Sequence, residues 1–187
     1  MNEIILKHKE YYLRSLTVSD VTEDYLRWMT DKDVVKYLEI RYSSYDFKNL
    51  ESYVSSFVND DTKFLFGIFN ENDNKHIGNA TIYDINYKTG TFDIGYLIGE
   101  KYFWGKGVGN IVCLLLMEFG FEKLNLRKLF TGTYSNNLSS RFIWKSIGCI
   151  EEGKLVGKFL FEDKPIDEVI YSMDKRNWEE IKEKIFI

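Results

Sequence analysis

Three glycines separated by single residues stand between an apolar strand and an apolar helix of this chain. The stretch runs from Asp93 to Phe121, and the three closely spaced glycines are Gly105, Gly107 and Gly109. Glycine adopts backbone dihedrals that other residues avoid, and it lets a ligand approach the main chain closely. The helix that follows directs its unpaired amides and the positive end of its dipole at the same place. This combination favours a bound anion, in particular a phosphate or a pyrophosphate.

Two common phosphate-binding motifs do not fit this stretch. The nucleoside-triphosphate loop requires GxxxxGK followed by Ser or Thr, and the chain contains no such string. The dinucleotide fingerprint requires GxGxxG, whereas the glycines here read GxGxG. A tight turn that only begins a core helix is the alternative interpretation.

The same stretch resembles the signature of the GNAT superfamily of acyl-CoA-dependent N-acetyltransferases, Q/R-x-x-G-x-G/A between a strand and a helix. It reads Trp104-Gly105-Lys106-Gly107-Val108-Gly109 and departs from the signature only at Trp104. A second segment is similar to the NxxS…KxGF motif of the subgroup that contains ribosomal-protein N-terminal acetyltransferases. It reads Asn137-Leu138-Ser139-Ser140 and then Lys145-Ser146-Ile147-Gly148-Cys149. The resemblance covers roughly residues 10 to 175.

The resemblance implies that acetyl-CoA is the acyl donor. Its pyrophosphate would bind the backbone of the glycine turn, which we define as Trp104, Gly105, Lys106, Gly107, Val108, Gly109 and Asn110. The edge of the preceding strand would pair with the pantetheine amides as an added strand does, at Tyr96, Leu97 and Ile98.

Two further residues take roles from the resemblance alone. Asn137 matches the family residue that hydrogen-bonds the cofactor arm. Ser140 matches a hydroxyl near the thioester sulfur and is the candidate for protonating or stabilising the leaving thiolate, with a helix-capping hydroxyl as the alternative. Many family members use a Tyr four residues before the helix-ending glycine, and Trp144 stands there in this chain.

Acetyl transfer requires a neutral amine, so a carboxylate could act as general base directly or through water. Asp93 and Glu39 are the candidates, and Asp84 and Asp167 compete with them. Each of these carboxylates has a solvated or structural role as its alternative.

Other catalytic chemistries are disfavoured. His8 and His76 are isolated, so we expect no metal site. Cys113 and Cys149 lie in apolar runs without a neighbouring His, which predicts buried thiols rather than a nucleophile or a disulfide.

The acceptor segment, which we define as Trp28 to Tyr42, would form the acceptor side of the cleft. It resembles N-acetyltransferases encoded with bacterial surface-polysaccharide pathways, whose acceptors are nucleotide-linked amino sugars. Aromatic rings and a guanidinium would suit a sugar and a phosphate. The substrate-binding candidates are Trp28, Tyr37, Arg41, Tyr42 and Tyr83.

Several other functions stay open. The acceptor could be the N-terminal amine of a ribosomal protein, a polyamine or an antibiotic amine, although a polyamine site should be more strongly acidic than this segment. A different class of function is a sensor that binds acyl-CoA or a nucleotide without catalysis.

Composition limits the class of protein. The chain has 187 residues, 44% of them hydrophobic, which predicts a single domain spanning residues 1–187. The net charge of −4 argues against general nucleic-acid binding. The N-terminal apolar run is too short for a signal peptide, and no apolar run reaches the ~18 residues of a spanning helix. We therefore expect a cytoplasmic protein without a membrane partner, and a homodimer stays open.

The order of elements predicts a GNAT-like α/β (α+β) fold. We expect a mixed, mostly antiparallel sheet of about seven strands flanked by helices, with strands 4 and 5 splayed. The predicted strands are 11–17, 63–69, 76–85, 91–98, 128–134 and two around the turn at Pro165. The first predicted helix is capped by Ser19-Asp20, the second spans Asp33 to Leu38, and the third is capped by Asp46. A fourth follows the glycine turn, and a fifth runs from Leu138 to Ile147 and ends at a cap on Gly148; a polar tail closes the chain.

Overall fold

The computed structural model describes residues 4–185. Within that range the chain forms one eight-stranded sheet and five α-helices. The strands are β1 Ile5–His8, β2 Tyr11–Ser15, β3 Phe64–Asn70, β4 Lys75–Asn86, β5 Thr91–Ile98, β6 Lys128–Tyr134, β7 Ile150–Phe161 and β8 Lys164–Asp174. The helices are α1 Glu23–Thr30, α2 Phe47–Ser55, α3 Val108–Glu118, α4 Leu138–Ile147 and α5 Lys175–Ile185.

The sheet is mixed and mostly antiparallel, as the sequence predicts. Its strand order is β1-β2-β3-β4-β5-β6-β8-β7. The β5–β6 pair is parallel, and its register joins Thr91 to Lys128 and Phe92 to Leu129, the first two residues of each strand. These two strands are the predicted strands 4 and 5. The sheet has one strand more than expected, because Ile5–His8 turns back at Lys9, which has a φ of 54°, and pairs with β2.

The chain divides into two compact units. Unit 1 combines the residues up to Asp84 with Ile94–Leu116, and unit 2 combines Ile85–Asp93 with the residues from Met117 onward. The glycine turn and the acceptor segment both belong to unit 1. Asn137 and Ser140 belong to unit 2.

The core of unit 1 packs α1 and α2 against the sheet. Apolar residues at helical spacing place Tyr25, Trp28 and Met29 on the buried face of α1, and Leu50 and Val54 on that of α2. The predicted cap of α2 is confirmed: Asp46 accepts a hydrogen bond from the backbone amide of Asn49 at 2.8 Å, and the Asn49 side chain accepts one in return at 3.0 Å.

Two predictions for the N-terminal helices are wrong. Asp20 does not cap α1, because its carboxylate is held by Arg14 at 2.6 Å, and Thr22 caps the helix instead. Residues 33–38 form turns rather than a helix. The carboxylate of Asp31 accepts a hydrogen bond from the Asp33 amide at 2.9 Å just after α1 ends, and a short 3-10 helix then covers Glu39–Tyr42.

The core of unit 2 includes a row of aromatic rings. Phe92 contacts Phe121 at 5.1 Å between ring centroids, and Phe121 stacks on Trp178 at 5.7 Å. Trp178 is fully buried and lies in α5, so the segment predicted as a polar tail forms a helix with one buried ring. Trp178, Ile181 and Ile185 recur at helical spacing, and this signal identifies the helix in retrospect.

The helix α4 has the predicted bounds and the predicted end. Its C-terminal cap is Gly148, which has a φ of 94° in the left-handed region. Its N-terminal cap is Asn137.

Candidate functional site

The glycine turn is built from two residues in left-handed conformation. Gly105 has a φ of 73° and Gly107 a φ of 79°, and a Cβ atom built on either would meet no atom within 4 Å. Gly109 differs, since it is the second residue of α3, which begins at Val108. The turn therefore leaves an open approach to the first backbone amides of α3, which have no intrahelical acceptor. This geometry fits the diphosphate that the sequence predicts.

Trp104 and Lys106 of the glycine turn are exposed, whereas Val108 is buried. Trp104 is 43% exposed and donates a hydrogen bond from its indole nitrogen to the Ile98 carbonyl oxygen at 2.8 Å. Lys106 places its ammonium 3.2 Å from the centroid of the Tyr102 ring. The indole of Trp104 thus fastens the turn to the end of β5. Trp104 stands at the position where the family signature has Gln or Arg.

Successive residues of β5 direct their backbone N–H and C=O groups to opposite edges of the strand. A Cβ atom at Gly78 of β4 would lie 2.1 Å from the Leu97 carbonyl oxygen, so Leu97 directs its backbone groups towards β4. Tyr96 and Ile98 consequently direct theirs to the opposite edge of β5. Of the three residues predicted to pair with pantetheine, these two lie at the suitable edge and Leu97 does not.

The faces of β5 also alternate. Leu97 packs into the α1–α2 core, and Asp93 and Gly95 share its face of the strand. Tyr83 of β4 is half-buried, and a Cβ atom at Gly95 would lie 3.4 Å from its ring. Asp93, a candidate base, is half-buried on the face that carries these groups.

In unit 2, Asn137 acts as a helix cap. Its side-chain oxygen accepts a hydrogen bond from the backbone amide of Ser140 at 3.2 Å. The Ser140 hydroxyl is half-buried and is not the capping group. Trp144 is 2% exposed, and its indole nitrogen has no hydrogen-bond partner within residues 4–185.

The acceptor segment divides into buried and exposed parts. Trp28 is 1% exposed and donates to Glu100 at 3.0 Å, so its ring is part of the core and cannot stack on a substrate as predicted. Arg41 donates to the Tyr42 hydroxyl at 2.7 Å and stacks over that ring at 4.5 Å. Tyr42 is 64% exposed. Tyr37 is half-buried, with Lys36 above its ring.

The candidate carboxylates lie in different surroundings. Glu39 is exposed and begins the 3-10 helix that ends at Tyr42. Asp84 is exposed, with a φ of 51°. Asp167 accepts a hydrogen bond from the Gly157 amide at 3.0 Å, which gives it a structural role in unit 2.

The thiols and imidazoles are held in the interior or away from one another. Cys113 and Cys149 are both buried and free, which confirms the prediction of buried thiols. Burial raises the pKa of Cys149 to about 12, so this thiol is protonated at neutral pH. Burial also lowers the pKa of His76, whose ring stacks on Phe69. In residues 4–185 no group of His, Cys, Asp and Glu is placed to hold a metal ion.

No local pattern in the sequence singles out Glu100 and Lys101. Glu100 accepts hydrogen bonds from Trp28 and from Lys75, the latter at 2.8 Å. Lys101 pairs with Asp31 and Asp33, each at 2.8 Å. Their partners are distant in sequence, and composition and periodicity provide no signal for such pairs.

Comparison with known families gives a match over most of the chain. Residues 11–150 match the model described as an acetyltransferase (GNAT) domain. In the part of the chain that the structure describes, no helix is long and apolar enough to cross a membrane.

Two relatives from Bacillus subtilis strain 168 are similar in sequence. YdaF, named as a ribosomal N-acetyltransferase, is 32% identical over 102 residues, which are 54% of this chain and 55% of YdaF. The chain thus spans about half the length of this relative. YjcK, named as an N-acetyltransferase, is 28% identical over 156 residues, 80% of this chain and 85% of YjcK.

Solved structures share the fold at lower identity. A spermidine N-acetyltransferase from Vibrio cholerae, solved with CoA and spermine, has a TM-score of 0.82 at 19% identity. The superposition covers 92% of this chain and 99% of the V. cholerae chain. The ribosomal-protein-S5-alanine acetyltransferase from Vibrio fischeri has a TM-score of 0.81 at 17% identity, and the superposition covers 94% of this chain and 98% of the V. fischeri chain.

Proposed function

This chain belongs to the GNAT acetyltransferase family, and on that premise we propose that it transfers the acetyl group of acetyl-CoA to the primary amine of a small acceptor. The observation that carries the proposal is the open glycine turn at the start of α3, where Gly105 and Gly107 have positive φ. A diphosphate at this turn would accept hydrogen bonds from the first backbone amides of α3 and lie at the positive end of the helix dipole.

The pantetheine arm is proposed to pair with the edge of β5 that faces away from β4. Tyr96 lies on that edge, and so does Ile98, whose carbonyl oxygen already accepts a hydrogen bond from Trp104. We therefore assign the principal backbone pairing to Tyr96. Asn137 is proposed to hold the arm through its side-chain amide nitrogen, because its oxygen caps α4.

The reaction proposed is direct attack of the amine nitrogen on the thioester carbonyl. The new bond is carbon to nitrogen, the bond that breaks is carbon to sulfur, and the leaving thiolate takes a proton. At pH 7 a neutral α-amine with a pKa of ~8 costs about 1.4 kcal/mol to form, whereas a lysine-like amine with a pKa of ~10.4 costs roughly 4.6 kcal/mol. A carboxylate base suffices to take the proton of the α-amine. Asp93 and Glu39 are the proposed bases, and Ser140 is the proposed donor to the thiolate.

A nucleotide-linked amino sugar is the acceptor that we propose. Arg41 and Tyr42 support this choice, since the guanidinium and the exposed ring lie together and would suit a phosphate and a sugar. A Tyr37 ring partly covered by Lys36 adds a second apolar face. Tyr83 is proposed to line the acceptor side of β5.

Two other acceptors have less support than an amino sugar. YdaF is named for ribosomal acetylation, which keeps a protein N-terminal amine as the second candidate. A polyamine ranks lower, because Asp31 and Asp33, which would attract a polycation, are both paired with Lys101.

An acetyl-CoA consumption assay tests the choice of acceptor. The purified chain is incubated with acetyl-CoA and separately with nucleotide-linked amino sugars, N-terminal peptides and polyamines. We expect turnover with the amino sugars. Turnover confined to peptides or to polyamines would reject the proposed acceptor and keep the acetyltransferase.

A sensor without catalysis is distinguished by Ser140→Ala. If the chain is an enzyme that uses this hydroxyl, the substitution lowers kcat and leaves the affinity for CoA unchanged. A sensor has no turnover in the wild type. A cytoplasmic location and a homodimer stay predictions.

A further inference from the structure

Three residues between β5 and the glycine turn, Gly99, Glu100 and Lys101, contact α1 and the turn that follows it. A Cβ atom at Gly99 would lie 2.0 Å from the Trp28 ring, so the indole packs directly on the backbone here. The next residue, Glu100, accepts a hydrogen bond from the Trp28 indole at 3.0 Å and pairs with Arg27 and with Lys75. The segment between β5 and the glycine turn is thereby held to α1, whose last residues begin the acceptor segment.

Lys101 extends this connection to the acceptor segment itself. Its ammonium lies 2.8 Å from a carboxylate oxygen of Asp31 and 2.8 Å from one of Asp33. The other oxygen of Asp31 accepts the hydrogen bond from the Asp33 amide that shapes the turn after α1. We name the three side chains Lys101, Asp31 and Asp33 the lysine clamp.

The lysine clamp also connects to the glycine turn. Lys101 begins the short 3-10 helix Lys101–Phe103, and the backbone amide of Trp104 donates to its carbonyl oxygen at 3.0 Å. The Lys101 ammonium lies 5.8 Å from the centroid of the Trp104 ring. The backbone of Lys101 is therefore hydrogen-bonded to the glycine turn, and its ammonium is paired with carboxylates of the acceptor segment.

We propose that Lys101 is a positioning residue that couples occupancy of the glycine turn to order in the acceptor segment. The proposal rests on the proposed function, because it takes CoA as the occupant. CoA restrains the backbone of the turn when it binds, and the lysine clamp transmits this restraint to the turn at Asp31 and Asp33, from which the acceptor segment continues. Acceptor binding to an already ordered segment then loses less conformational entropy.

The size of the effect follows from the exposure of the pairs. The side chains of Lys101 and Asp33 are 43% and 73% exposed, so each ion pair contributes little by itself. Two such pairs correspond to an effect of about three- to tenfold on an equilibrium.

Hydrogen–deuterium exchange tests the coupling independently of any acceptor. Exchange of a peptide covering residues 31–42 is measured with and without CoA in the wild type, in Lys101→Met and in Lys101→Arg. Lys182→Met is the matched control, since it removes a lysine pair with Glu122 at 2.9 Å in unit 2. Calorimetry with CoA accompanies each variant.

We expect CoA to slow exchange of this peptide about three- to tenfold in the wild type and in the control. Lys101→Met should still bind CoA but lose most of that protection, and Lys101→Arg should regain it. With an acceptor that turns over, Lys101→Met should raise the acceptor KM by a similar factor and keep kcat.

The two failures are distinguishable. If the wild type gives no heat with CoA, the proposed function and this inference are both wrong. If CoA binds but the wild type shows no protection, or if Lys101→Met keeps it, only the inference is wrong. Equal loss of protection in Lys182→Met would also contradict the inference, because a general loss of stability would then explain the result.

Discussion

Gly105 and Gly107 are the residues on which the proposed donor site depends. Their positive φ values place the backbone in a region where a side chain introduces strain, and no neighbouring atom fills the space beside them. The sequence predicts this pair but predicts the same role for Gly109, which is instead helical. A row of glycines indicates that a backbone is permissive, and it does not show which of them uses that freedom.

Replacing Gly107 by Ala should weaken CoA binding about tenfold. A left-handed alanine costs roughly 1–2 kcal/mol, so the unbound turn relaxes and binding must restore it. Equilibrium dialysis with CoA measures the effect. Gly153→Ala is the control, because Gly153 also has open space beside it and no positive φ. Equal affinity in both variants would show that the turn is not the CoA site.

Asp20 gives a prediction about pH. Burial would raise the pKa of this carboxyl, but hydrogen bonds from Arg14 and Thr17 outweigh burial and lower the pKa from 3.8 to about 2. A pKa that is lowered in the folded state stabilises the protein above pH ~4, and this contribution is lost as the pH falls towards 2. Because the side chain is only 13% exposed, solvent screens these interactions little. The shift in pKa then corresponds to about 2 kcal/mol of stability.

Asp20→Asn should therefore reduce the free energy of unfolding by about 2 kcal/mol at pH 7 and by almost nothing near pH 2. Urea denaturation at a series of pH values measures this difference. Asp163→Asn, at an exposed turn, should change little at any pH. A difference that persists unchanged near pH 2 would assign the effect to packing rather than to the charge.

At the scale of elements, the sequence predicts regular segments better than irregular ones. Strands β5 and β6 and helix α4 have their predicted bounds, because each shows clear periodicity and ends at turn or cap residues. The helix expected at residues 33–38 does not form, since the Asp31 side chain closes a turn there. Contacts across long sequence distances, such as Lys101 with Asp33, leave no local pattern and could not be predicted.

The helix α5 tests how a polar segment is held in place. Trp178 is fully buried, stacks on Phe121 and donates to Glu122 at 3.0 Å. Trp178→Ala should lower the free energy of unfolding by about 3–5 kcal/mol, because a large buried ring leaves a cavity. Chemical denaturation measures this change. Glu179→Ala, at the exposed next position, should have an effect within about 0.5 kcal/mol, and a similarly small effect for Trp178→Ala would show that α5 does not pack there.

At the scale of the whole molecule, the sequence predicts the family and the fold, and it does not determine the acceptor. The motif at residues 104–109 and the family match over residues 11–150 agree. The acceptor segment contains exposed side chains such as Tyr42, and exposed side chains are compatible with many partners. Backbone geometry determines where a diphosphate binds, whereas the shape and charge of a few surface side chains determine which amine is accepted.

A calorimetric titration of the wild-type chain with CoA tests the central claim most directly. We predict saturable binding of one CoA per chain, and we predict that inorganic pyrophosphate competes for the same site. Absence of binding, or binding that pyrophosphate leaves unchanged, would contradict the assignment of the glycine turn as the donor site.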